Sequence, residues 1–125
     1  MGPMLAYGPM KRLSPLAIAA FALAAHTAVA QEKRAVSLTL APAKVHEECL
    51  RLEAGDQRNF HWKSNAPVDF NVHYHEGPEV FYPVKRDAKR GDRGTFTAKI
   101  AQEYCWMWTA RKAPATIKGS IELAK

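Results

Sequence analysis

Val68-Asp69-Phe70-Asn71-Val72-His73-Tyr74-His75-Glu76 is the stretch that decides the fold. Val68, Phe70, Val72 and Tyr74 alternate with Asp69, Asn71, His73 and His75. Side chains along a strand point to opposite faces with period two, so the segment predicts a half-buried strand with its apolar set turned into a core. The same alternation sets His73 and His75 side by side on the other face. With Glu76 directly after them, they are the one constellation in the chain with the donor types of a transition-metal site.

Toward the C-terminus, Glu76-Gly77-Pro78 is a turn signal. Val80, Phe81, Tyr82 and Val84 form a strand that Pro83 confines to a sheet edge. Residues 85–94 (KRDAKRGDRG) carry most of the excess charge and are expected to be a solvated hairpin loop. Thr95 to Ile100 is a further strand. Glu103 to Ala110 places Tyr104, Trp106 and Trp108 on one side and Cys105, Met107 and Thr109 on its reverse. After Pro114, Ala115 to Leu123 forms a last strand with a bulge expected near Gly119.

Toward the N-terminus, Gln57 to Lys63 alternates with Phe60 and Trp62 on one face, and Ser64-Asn65-Ala66-Pro67 separates it from the central strand as a turn. Gly55-Asp56 is another turn. Val45 to Leu52 and Ala35 to Leu40 supply the first strands, and His46 beside Glu47 and Glu48 is taken as a solvated strand end. Seven or eight short strands with no amphipathic helix among them predict an all-β, antiparallel, jelly-roll-like β-sandwich.

Residues 1–30 have a different composition. Lys11 and Arg12 precede a small and apolar run from Leu13 to Ala25, and Ala28-Val29-Ala30 places small residues where a signal peptidase reads. This predicts a secretory signal helix cut before Gln31, with translation starting at Met1 or at Met10; an uncleaved anchor is the competing reading. The mature domain, residues 31–125, is one unit of about 95 residues with no further membrane span, at the small end of what buries a self-sufficient core. Its destination is periplasmic or secreted. There Cys49 and Cys105 are expected to form a disulfide, and a pair of thiolate metal ligands is the alternative.

Without Lys11 and Arg12, sixteen basic residues face twelve acids, a net charge of about +4. The basic run is interrupted by Asp87 and Asp92 and carries no interleaved aromatics, so a nucleic-acid partner is not expected. No nucleophile-elbow or phosphate-cradling glycine pattern is present, and the acids are scattered, so no enzymatic activity is expected either.

In order and spacing, His46-Glu47-Glu48-Cys49, Gly55-Asp56, Val68 to Val72, Gly94-Thr95-Phe96-Thr97-Ala98 and Gln102 to Trp108 resemble the GOLD domain of secretory-pathway cargo receptors. The resemblance runs from about Val36 to Leu123. It implies an eight-stranded sandwich, a bridge between cysteines placed like Cys49 and Cys105, and a binding role. The chain departs from that family in having no coiled coil, membrane anchor or sorting tail after Leu123, so no trafficking role is carried over.

Two functions follow as expectations. The first is an exported binding module for a protein or envelope component, with Trp106 and Trp108 as ligand-face aromatics should they prove exposed beside His73. The second is a copper-binding protein, in which His73 and His75 are supported by Glu76, His61 or the thioether of Met107. No other cofactor is implied.

Overall fold

The computed structural model describes residues 33–124, together with Gly2 and Pro15. The expected signal helix over residues 1–30 otherwise lies outside the described residues. Six antiparallel strands make the fold: β1 Lys33–Leu40, β2 Val45–Leu52, β3 Gln57–Glu76, β4 Glu79–Thr97, β5 Gln102–Ala110 and β6 Ala115–Leu123. No helix long and apolar enough to cross a membrane occurs among the described residues.

Two strands are unusually long, β3 with 20 residues and β4 with 19, and they organise everything else. Arg58 to Ser64 of β3 pairs with β6, while Val68 to His73 pairs with β5. Along its whole length β3 also pairs with β4. One layer is therefore β1-β6-β3-β4 and the other β2-β5-β3-β4, each using a different half of the same two strands.

The seven or eight expected strands become six because Ser64–Pro67 is not a turn and residues 85–94 are not a loop. Both stretches stay in strand and absorb the change of layer through register shifts between Lys63 and Val68 and again between Val68 and Phe70. Partners distant in sequence hold them. The Asn65 side-chain oxygen accepts the Thr116 N–H at 2.8 Å, Arg90 donates to the Asn65 carbonyl at 3.0 Å, and Asp69 accepts the Ala88 N–H at 2.9 Å. The two hairpin turns behave as expected, with Gly55 at φ 91° and Gly77 at φ 56°, conformations glycine adopts without steric cost.

Trp62 and Phe70 lie eight residues apart on one strand, a span of roughly 26 Å if straight. Their ring centroids are 5.2 Å apart, so the strand folds over and the rings meet across the layers. Phe70 also meets Phe60 at 5.6 Å and Trp108 at 5.4 Å. Farther along, Phe96 of β4 packs against Tyr104 and Trp106 of β5. Trp106 is fully buried and Trp108 is 2% exposed, so the ligand-face assignment for these two is corrected: they are core.

The bulge expected at Gly119 is also absent, since the pairings with Val36 and Trp62 run through it without a break. Glycine stands there because a Cβ would overlap the His61 carbonyl oxygen.

The two flanks of the sandwich differ. At the β1/β2 flank, Arg34 donates to the Cys49 carbonyl at 2.8 Å and reaches Glu48 at 3.4 Å, and Glu48 in turn bonds His46 at 2.9 Å. His46 is half-buried over Trp108 rather than a solvated strand end, and this network closes the flank. At the opposite flank β4 is the edge of both layers, and nearly all of its residues are exposed.

Candidate functional site

The open flank holds a cleft of about 610 Å³ between the two halves of β4. Tyr74, Phe81, Val84, Phe96 and Tyr104 form its walls, with Ile100 at the rim. Tyr74 stacks on Phe81 at 5.1 Å and meets Tyr104 edge-on at 5.3 Å, so the floor is aromatic and continuous with the core. Phe81, Tyr82 and Ile100 remain 36–47% exposed here, and Val80 next to them on β4 is 37% exposed. Concentration of large apolar side chains at one place on a surface is the mark of an interaction site rather than of random exposure.

The cleft arises from local sequence. Val80-Phe81-Tyr82 breaks the period-two rule by setting three large apolar residues in a row on an edge strand, where one face or the other must stay in water. That break was the available signal for the site; nothing in the spacing showed that Ile100 and Phe96 would face it.

A second grouping lies on the outer face of the β2-β5-β3 layer. Cys49, Cys105 and His73 stand in one row across three strands, and Glu47, Met107 and Asn71 stand in the next. Cys49 and Cys105 are disulfide-bonded with Cα atoms 4.0 Å apart, which confirms the bridge over the thiolate alternative for this state. His73 is 4% exposed. Its Nδ1 is 2.7 Å from the Asn71 side-chain oxygen, an acceptor, so Nδ1 carries the proton and donates. Its Nε2 lies 3.3 Å from a Glu47 carboxylate oxygen.

Burial pushes the His73 pKa below the ordinary 6.5; the Glu47 carboxylate opposes this and neighbouring His75 adds to it. A histidine depressed in the folded state binds its proton more readily when unfolded, so stability is lost as pH falls below about 6.5. Urea midpoints at pH 7.5 and pH 5.5 should show this decline, and His73→Gln should make it smaller. An identical pH dependence in the variant refutes the assignment.

The five residues expected to hold copper do not converge. His61 sits on the other half of β3, in the other layer, with its Nδ1 3.3 Å from the Ser120 hydroxyl and Arg93 across the strand pair. Glu76 is exposed at the end of the β3–β4 hairpin, opposite Glu79. His73 and His75 are neighbours, with ring centroids 5.2 Å apart and planes at 80°. Met107 shares the outer face with His73, between Glu47 and Asn71. Among the described residues, the His, Cys, Asp and Glu donors that gather as a group of three are Glu47, Cys49 and Cys105, within 4.8 Å of one another, and the sulfurs are bonded to each other.

No family model and no curated protein matches the chain. Solved structures do show its fold. Yersinia pseudotuberculosis-derived mitogen is similar with a TM-score of 0.54 at 8% identity, over 74% of this chain and 86% of that one. Aeromonas hydrophila PliG, a periplasmic lysozyme inhibitor of g-type lysozyme, is similar with a TM-score of 0.50 at 10% identity, over 74% of this chain and 87% of that one.

Proposed function

We propose that this chain is an exported β-sandwich module that binds a protein partner through the aromatic cleft at its β4 edge. The observation that carries the reading is the clustering of exposed Phe81, Tyr82 and Ile100 around one cleft continuous with the core. Aromatic anchors beside a pocket are the residue types that dominate binding energy at protein interfaces. The fold shared with PliG, a periplasmic inhibitor of another protein, supports a binding role. Export is supported by the leader-like residues 11–30 and by the Cys49–Cys105 bridge, which suits an oxidising compartment. The GOLD-like kinship belongs to the same proposal, supported by the two layers and the bridge.

The test is a photo-crosslinking amino acid at position 82, with position 112 in the exposed β5–β6 turn as control. Position 82 should give one discrete adduct in an envelope fraction. The protein found in it, once purified, should bind the wild-type domain and lose at least tenfold in affinity to the Phe81→Ser, Tyr82→Ser double variant. Purified g-type lysozyme is the first defined protein to titrate. Equal crosslinking from both positions, or undiminished affinity in the double variant, refutes the reading.

A further inference from the structure

The row of Cys49, Cys105 and His73 contains a second, latent chemistry that does not depend on the cleft. With Nδ1–H donating to Asn71, neutral His73 keeps its Nε2 lone pair free, and a Glu47 carboxylate oxygen lies 3.3 Å from that nitrogen. Two acceptors face each other, and a cation between them would satisfy both. Bond lengths of about 2.0–2.1 Å at a tetrahedral angle place two such ligand atoms about 3.4 Å apart, close to the separation observed. The Cys49 and Cys105 sulfurs lie within 4.8 Å of the same carboxylate. Cys105 is directly opposite His73 on the paired strand, so both are presented to the same face. His73 stands outside that group of three, so completing the site takes a shift of the freed sulfurs toward Nε2 as well as the two negative charges they would carry as thiolates.

We propose that two-electron reduction of the Cys49–Cys105 bridge converts this face into a tetrahedral site for a zinc-class divalent ion, held by the two thiolates, the His73 Nε2 and the Glu47 carboxylate. The reductant is a dithiol. It gives two electrons and two protons to the S–S bond, leaving two thiols here and a disulfide on itself, and metal binding then releases the two thiol protons. Two soft thiolates with one imidazole and one carboxylate form a donor set that zinc accepts. Asn71 is the positioning residue, fixing the tautomer that leaves Nε2 free to bind. The metal histidine is thus His73 without His75, and its partners come from β2 and β5 rather than from β3.

Cobalt(II) is the probe, titrated in the cold into the mature domain reduced with a non-chelating phosphine. The reduced protein should develop thiolate-to-cobalt charge-transfer absorbance and the visible bands of a tetrahedral ion, and the oxidised protein should develop neither. His73→Ala and Glu47→Gln should each weaken binding at least tenfold, and zinc should raise the melting temperature of the reduced protein. Absence of the charge-transfer band overturns the proposal. So does equal affinity in both variants, the result if reduction unfolds the sheet and leaves a flexible dithiol.

Discussion

Reducing the Cys49–Cys105 bridge in the absence of metal lowers the melting temperature of the mature domain by about 15–30 °C. The bridge joins residues 56 apart in sequence, and closing a loop of that size removes chain entropy from the unfolded state worth about 4 kcal/mol in the loop-entropy model. Each kcal/mol moves the midpoint of a domain this small by about 4–8 °C. The effect should be concentrated at one edge. β2 pairs with β5 and with no other strand of the sheet, so loss of the bridge leaves it held by a single ladder and by side-chain contacts such as those of Arg34 to Glu48 and to the Cys49 carbonyl. Calorimetry of the oxidised protein against the Cys49→Ala, Cys105→Ala variant measures the shift; a difference under about 5 °C would contradict the account.

Phe70→Ala should be comparably damaging, at about 3–5 kcal/mol, because it deletes a ring at the junction of the layers. Phe70 is 1% exposed and touches Phe60 and Trp62 in one layer and Trp108 in the other. The rings around the vacancy are carried on strands hydrogen-bonded on both sides, so they collapse inward little and most of the cavity cost remains. Phe81→Ala is the matched control. It removes the same ring from an edge strand where the side chain is 36% exposed, and the expected loss is about 1 kcal/mol. Urea midpoints for the two variants should separate clearly; similar losses would mean that the interlayer stack does not carry the core.

Both results rest on features that were unequally visible in the residues. Period-two alternation was enough to place Val68, Phe70 and Val72 on the core face and His73 on the opposite one, and to separate Trp106 and Trp108 from Cys105 and Met107, because successive side chains of a strand point to opposite faces. The turns at Gly55 and Gly77 were visible because a positive φ needs glycine. The continuity of β3 through Ser64–Pro67 and of β4 through residues 85–94 was not visible. Local composition there favours turns, and what holds these stretches extended is a set of bonds from Thr116, Arg90 and Ala88, residues up to 51 positions away.

The candidate sites divide in the same way. A face can be read from alternation within one strand, so His73 and Met107 were assigned to the correct side, but alternation did not show that His73 would be buried there. Their neighbours are set by register between strands, and this placed His61 in the other layer and brought Glu47 to His73. The cleft depends on the two halves of β4 approaching each other, a distance that no spacing along the chain encodes.

Sharing β3 and β4 between the layers has a consequence for how the molecule comes apart. Neither layer can detach as a unit, since separating one means extracting half of a strand whose other half is still locked in its companion. Amide hydrogens of β3 where it is paired on both sides, Phe60 to Lys63 and Phe70 to Val72, should therefore exchange with solvent only when the entire domain opens, while those of β1 and β2 are released by fraying. The fold has no weakest seam along which it could be halved, and a protease meeting it intact would find places to trim and no place to cut.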